Sequence, residues 1–381
     1  MDFDLTDEQV MIRDLARDFA RNEIAPRAEY YDHHAEFPYD VIAKLAELGF
    51  MGLPVPEAYG GAGADTLTYA VAVEEISRGD ASVGITMAAH TSLGIMPFLM
   101  FGSEDQKQEY VPPLAAGQAL WSFGLTEPQA GSDAGATRTR ADLHSGFWVI
   151  NGVKSFITNS GTRISGGVTI TAVTGGSVGD REISNIIVPA GTPGYTVSRE
   201  YDKMGWRASD THELAFADAR VPEINLLGER GAGFHQFLRV LDGGRISVAA
   251  LSVGLAQACY DASARYAEER VQFGRPIAQF ETVRNKLVDM ATNIELARLM
   301  TYRAAWLKDR GRDFRMSAAM AKLFAGEVAT RAANDAVQIH GGYGVMEEFP
   351  VARYWRDCKI GEIGEGTNEV QRMVIGRLLG L

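Results

Sequence analysis

The sequence predicts a mainly α-helical protein with a central β domain, and three observations carry that expectation. Apolar residues recur at helical spacing over the first 120 residues and again from Gly233 to the C-terminus. Between them, from about Trp121, the chain breaks into short β-type runs punctuated by turn residues. At 381 residues it is long enough for two or three cores. The expected organisation is an N-terminal helical domain over 1–120, a small antiparallel β domain over 121–229 and a C-terminal helical bundle over 230–381.

Each element has a local reason. Thr6 and Gln9 have capping-box spacing, after which Ile12, Leu15 and Phe19 mark one helical face until Pro26 stops the run. A second helix is expected over Tyr39 to Leu48, then a Pro/Gly-rich loop from Gly52 to Asp65, then an apolar helix from about Leu67. The strands are read from "WSFGLTE", "FWVINGVKSFIT", "GVTITAV", "SNIIVPA" and "ELAFADA", with Asn151-Gly152 as a type I′ hairpin turn. In the last domain Val283, Leu287, Met290, Ile294, Ala297 and Leu307 line one helix face, and Leu323, Phe324, Val328, Ala332 and Ile339 another. Gly311 and Gly341-Gly342 read as helix stops.

Composition narrows the function. With 46% hydrophobic and 23% charged residues the chain is an ordinary globular one, and a net charge of −12 offers no broad basic face for nucleic acid or anionic membrane. Two cysteines and seven histidines without ligand spacing give no disulfide framework and no metal site. No signal-peptide core and no run of 18 apolar residues is found, so a cytoplasmic location is expected.

Several segments carry polar chemistry, each with a plainer alternative. "FGLTEPQAGSDAG", Phe123 to Gly135, is either a solvated Gly-rich loop or a loop wrapping a polar ligand, and "SFITNSG" places Thr158 where it could face the same ligand. "ERVQFGRPI", Glu269 to Ile277, groups Arg270, Phe273 and Arg275, types that bind pyrophosphate and stack on a ring, or else form a solvated turn. "LDGGR", Leu241 to Arg245, sets two glycines in a helical pattern at about 1 kcal/mol each, explained by close approach of a ligand or by a kink. "QIHGGYG" is a C-cap or a pair of open amides, and Glu365 lies between two glycines just before the N-cap candidates Thr367 and Asn368.

Taken in order, "LTEPQAGSD", "FITN", "MGWRASDTHELAF", "LDGGRI", "ERVQFGRPI", "QIHGGYG" and "EGTNEVQR" resemble the flavin-dependent acyl-CoA dehydrogenase family over essentially the whole chain. The resemblance implies a four-helix bundle as the C-terminal domain, a homotetramer and one FAD per subunit. By matching position, Phe123, Leu125, Thr126, Gly131 and Ser132 would contact the flavin, with Ser132 also near the pantetheine. Phe156 stands where many members have Trp beside the flavin ring, followed by Ile157 and by Thr158 at N5. Arg270, Phe273, Gln338, Gly341 and Gly342 would reach the FAD of a neighbouring subunit, and Thr367 and Glu369 match positions that close over the cofactor's phosphates. Asp242 and Arg245 resemble a substrate-contacting pair, and Gly364 and Gly366 leave space for the thioester.

Glu365 aligns with the family's base. Removing a proton α to a thioester calls for a base stronger than free Glu, whose pKa is about 4.3, and burial would supply it. The resemblance further implies that the thioester carbonyl is held by the base residue's own N–H and a ribityl hydroxyl, that hydride goes from the β-carbon to the flavin, and that an electron-transferring flavoprotein takes the electrons. Gly364 replaces a common Tyr, pointing to a short, branched or cyclic acyl group; Glu281 replaces a common Gln near the adenine end; Gly243-Gly244 exclude a base on that helix. An acyl-CoA oxidase, an acyl-carrier-protein dehydrogenase and a non-catalytic flavin-binding relative remain alternatives on the same fold.

Overall fold

The computed structural model describes residues 3–177 and 180–381. Its first helix, α1 (Asp7–Phe19), opens with the expected capping box: the Thr6 hydroxyl accepts from the Gln9 N–H, and the Gln9 side chain accepts from the Thr6 N–H at 3.0 Å. Pro26 does not end the run. A π-helical turn, Ala20–Ile24, carries the chain into α2 (Ala25–His34), and Pro26 lies in that helix's first turn, where its missing N–H goes unneeded. Next come α3 (Tyr39–Glu47), α4 (Thr66–Gly79), α5 (Ala81–Ala89), α6 (Met96–Phe101) and α7 (Glu104–Ala115). A π-helical stretch, His90–Ile95, joins α5 to α6. The continuous span Ala81–Phe101 is long and apolar enough to cross a bilayer, which the sequence reading did not register, but it is mostly buried inside the protein. It packs against α4 and the long helix described below.

The β region is one eight-stranded sheet built from β1 (Leu120–Gly124), β2 (Arg140–His144), β3 (Phe147–Thr158), β4 (Ser165–Ser177), β5 (Asp180–Pro189), β6 (Tyr195–Glu200), β7 (Thr211–Pro222) and β8 (Leu226–Leu227). The order is β6-β7-β3-β2-β4-β5-β8, with β1 parallel to β4. Pairing is otherwise antiparallel apart from a single parallel β2–β4 contact. Asn151-Gly152 is not a turn, because β3 runs straight through it with a register shift against β7. Gly152 is required there by close approach: a Cβ on it would lie 2.7 Å from Thr139 Cα. The hairpin between β2 and β3 turns instead at Ser145-Gly146, whose φ angles of 49° and 81° are those of a type I′ turn.

The C-terminal region consists of α8 (Gly233–Glu269), α9 (Glu281–Asp309), α10 (Arg315–His340), α11 (Pro350–Gly361) and α12 (Asn368–Leu379). α8 packs along α10 and α9, and it also packs against α4 of the N-terminal half. That crossing is tight, since a Cβ on Gly254 would lie 2.1 Å from the Glu74 carbonyl oxygen. Tyr69, Val73 and Ile76 of α4 therefore share one apolar cluster with Ile246, Leu251 and Leu255 of α8, while the sheet has a core of its own around Trp148, Ile170 and Phe216. Helical regions far apart in sequence thus meet, and the π-helical stretch packs against α8 and β1.

Candidate active site

β1 and β2 lie in succession along the same edge of β4, pairing at Gly124↔Ile170 and Arg140↔Val173. Residues 125–139 are the excursion between them, so the sheet itself throws out the Gly-rich loop. A fully buried lysine pins its base. Lys154 of β3 donates to Glu127 Oε1 at 2.8 Å, to the Leu125 carbonyl at 3.2 Å and to the Thr171 hydroxyl at 3.1 Å. Glu127 also accepts the backbone N–H groups of Arg138 (2.7 Å) and Thr139 (3.0 Å), closing the loop on itself. Burial works to raise the Glu127 carboxyl, but the Lys154 charge and these donors outweigh it and hold it at about 2. Burial pulls Lys154 down to about 8 against the Glu127 charge. The sequence reading missed Lys154; a lysine inside a strand of core spacing was its only signal.

The loop's ligand-facing groups are left unused. The hydroxyls of Thr126, Ser132 and Thr158 take no hydrogen bond among the described residues, and a Cβ on Gly131 would meet open space. Phe156 is 63% exposed in a left-handed conformation (φ 60°), where β3 shifts register before its last residues, and its ring lies 4.9 Å from that of Tyr201. An exposed aromatic in that conformation is the kind of strained feature that clusters at ligand sites. Ile157, by contrast, points into the sheet core, so only its backbone faces the loop side. Leu125 is buried too, and Phe123 stacks on Phe237 of α8 at 3.8 Å.

Glu365 lies in the turn between α11 and α12. It is a non-glycine residue with φ 53°, and neither of its two carboxylate oxygens, both shielded from water, has a hydrogen-bond partner. Its backbone N–H likewise donates to no protein group among the described residues. The helix start does not use it: Thr367 is the N-cap, accepting from the Val370 N–H at 3.3 Å, and Glu362 is occupied by Lys359 at 2.5 Å. Burial raises the Glu365 carboxyl to about 7, against the opposing charges of Lys322 and Arg245.

The LDGGR segment lies opposite. α8 passes through Gly243 and Gly244 without interruption. A Cβ on Gly244 would lie 2.1 Å from Glu365 Oε2, so this glycine makes room for the carboxylate. Arg245 is buried, bonded to Asp242 at 2.5 Å, and its Nε is unpaired. Gly364 has an ordinary φ, and a Cβ there would make only one contact within 4 Å, at 3.5 Å to the Ile360 carbonyl. Gly366 needs its glycine, at φ 92°.

The remaining predicted residues lie apart from these. Arg270 opens a two-stranded hairpin whose turn, Phe273-Gly274, has φ angles of 52° and 79°. Phe273 at its tip is 95% exposed. Arg270 lies over the Tyr343 ring at 5.7 Å; Gln338 is exposed, and at Gly341 and Gly342 an added Cβ would meet nothing within 4 Å, although the Gly341 N–H is taken by the end of α10. Glu369 is exposed in the first turn of α12, and Glu281 is in the first turn of α9.

The chain matches the acyl-CoA dehydrogenase N-terminal domain over residues 6–118, the middle domain over 122–219 and the C-terminal domain over 231–380. It is 55% identical to a probable acyl-CoA dehydrogenase, YngJ, of Bacillus subtilis (strain 168), over 100% of both chains. The structure of butyryl-CoA dehydrogenase from Megasphaera elsdenii superposes with a TM-score of 0.97 at 45% identity, covering 100% of each chain. A chain from structural work on the electron transferring flavoprotein of Acidaminococcus fermentans does so with a TM-score of 0.97 at 46% identity, covering 100% of this chain and 99% of that one. The unused hydroxyls, the open Gly131 and the exposed ring of the 125–158 region fit a flavin. The chain belongs to the acyl-CoA dehydrogenase family of FAD-dependent flavoproteins, and its enzymatic class is that of an acyl-CoA dehydrogenase.

Proposed function

We propose that this enzyme removes the α-proton of a short, branched or cyclic acyl-CoA thioester through Glu365, giving the trans-2-enoyl-CoA. The observation that supports this reading most is the Glu365 carboxylate: buried, without a partner, and raised to about 7. A carboxylate paired to Lys or capping a helix would be too weak a base, whereas one at this level is poised near neutral pH. Its Oε2 lies against the small residue Gly244, and the thioester would meet the carboxylate from the part of the turn where Gly364 carries no side chain. The free N–H of Glu365 is a donor for the thioester carbonyl oxygen, whose negative charge grows as the α-proton leaves.

FAD, when bound, supplies the acceptor for the hydride that leaves the β-carbon. Thr126, Gly131, Ser132, Phe156 and Thr158 would hold it, on a loop that Lys154 and Glu127 keep rigid. Arg270, Phe273, Gln338, Gly341 and Gly342 would hold the FAD of a second copy of the chain, which is why an apolar tip stands free in the single subunit, and the assembly would be a homotetramer. Thr367 and Glu369 would close over the phosphates, and Asp242 with Arg245 would contact the substrate. An electron-transferring flavoprotein would take the electrons, a reading that the A. fermentans similarity supports.

The test is anaerobic addition of straight, branched and cyclic acyl-CoAs to the yellow holoenzyme. Bleaching by short or bulky thioesters, slow reoxidation in air and rapid reoxidation by an electron-transferring flavoprotein are expected. Rapid peroxide formation in air would contradict the assigned acceptor.

A further inference from the structure

Lys322 of α10 has no role in the mechanism so far, yet it is a fully buried cation whose charge acts on Glu365. Its Nζ donates to the Gly366 carbonyl at 2.8 Å and to Asn368 Oδ1 at 3.4 Å. The same Gly366 carbonyl accepts from Gln371 Nε2 at 2.9 Å, and that amide also reaches the Glu365 carbonyl at 3.4 Å. Gln371 is fully buried as well. The peptide groups on the C-terminal side of the base are thus gripped by α10 and by α12, while its carboxylate is gripped by nothing. A glutamate held at φ 53° needs such a grip, because the left-handed conformation is unfavourable for a residue with a side chain.

The charges around the site single out Lys322. Two charged side chains act on Glu365, Lys322 from α10 and Arg245 from α8, while the Tyr69 hydroxyl of α4, pushed up chiefly by burial, also feels Glu365. Arg245 is already matched by Asp242 at 2.5 Å. Lys322 feels Arg245, Glu362, Glu369 and Glu365; Glu362 is taken up by Lys359, and Glu369 is exposed. Every group that Lys322 touches is a neutral oxygen. Its charge therefore has one counterpart left free, the Glu365 carboxylate.

We propose that Lys322 and Gln371 are positioning residues for the dehydrogenation: together they clamp the Glu365–Gly366 turn, and the Lys322 ammonium is the counter-charge that keeps the base ionised. The inference rests on Glu365 being the base. Burial draws Lys322 down to about 8, with Glu365 pulling it back up, as expected for two groups that support each other's charge.

The experiment follows the rate of flavin reduction by butyryl-CoA against pH in holoenzyme variants, alongside an infrared titration of the carboxyl band that Glu365→Gln removes. Lys322→Met should fold, because Gln371 still satisfies the Gly366 carbonyl. It should move the acid limb of the profile and the infrared midpoint up by about one pH unit, the size expected when a nearby opposite charge is lost. Lys322→Arg should restore both. Gln371→Met, which removes a donor and no charge, should lower the plateau rate and leave the acid limb in place. Should Lys322→Met yield no folded protein, Asn368→Asp neutralises the ammonium where it stands and should raise the limb as well. An acid limb and infrared midpoint that do not move in Lys322→Met, or in Asn368→Asp, would overturn the proposal. Equal loss at every pH in Lys322→Met and Lys322→Arg would do so too. Failure of the underlying reading looks different: there Glu365→Gln would itself remain active.

Discussion

The proposed chemistry rests on Glu365, a residue both of whose carboxylate oxygens the fold leaves unpaired, at a place where burial makes that costly. With its carboxyl raised to about 7, the reaction should slow as pH falls through 7, close to tenfold per unit well below it. The same shift has a consequence for stability. The folded state binds this proton more tightly than the unfolded chain, so the contribution of Glu365 is most favourable below about 4.3 and declines as pH rises to about 7. Glu365→Gln should therefore raise the melting temperature of the holoenzyme at pH 8 more than at pH 4, which scanning calorimetry can check. Gly244→Ala places a methyl 2.1 Å from Oε2, which must move, and a displacement of about 1 Å at a reacting group can cost about a hundredfold in rate. Stopped-flow flavin reduction should show that loss with the flavin content unchanged.

Among elements, the excursion between β1 and β2 was legible as a Gly-rich polar loop from its composition, and α1, α3 and α4 from caps and periodicity. What composition could not show was how the loop is held. Lys154 and Glu127 are 27 residues apart and meet only because β3 lies beside the edge that β1 and β2 share. Lys154→Met should strand Glu127 as a buried charge at a cost of about 3–5 kcal/mol, read by denaturant unfolding, with loss of FAD on gel filtration. Asn151-Gly152 misled for a related reason: its dipeptide chemistry suits a type I′ turn, but the approach of Thr139 and the reciprocal bonds, Asn151 Nδ2 to Asp218 Oδ1 and the Asp218 N–H to Asn151 Oδ1, claim it for a strand. Pro26 misled because a helix-stopping residue is also a good first-turn residue, and a π-helical turn lets the chain restart at once.

At the scale of the molecule, seven motifs in register were enough to place the family, while the site they form depends on contacts between regions far apart in sequence. Gly244 was read as a possible ligand approach or kink; only the fold brings it against Glu365, 121 positions later by their numbers. In the proposed homotetramer the exposed hairpin tip at Phe273 would serve a second copy of the chain. Phe273→Ala should weaken FAD retention in the assembled protein while leaving the far-ultraviolet circular dichroism unchanged, since the ring is exposed in the single chain. Gly364→Tyr should narrow the acyl-CoA range toward straight chains, because the space beside Gly364 is free of neighbouring side chains. The measurement that bears most directly on the whole account is anaerobic stopped-flow mixing of Glu365→Gln holoenzyme with an acyl-CoA that bleaches the wild type. The expected result is a yellow, FAD-loaded enzyme that binds the thioester and is not reduced by it; bleaching at close to the wild-type rate would contradict Glu365 as the base.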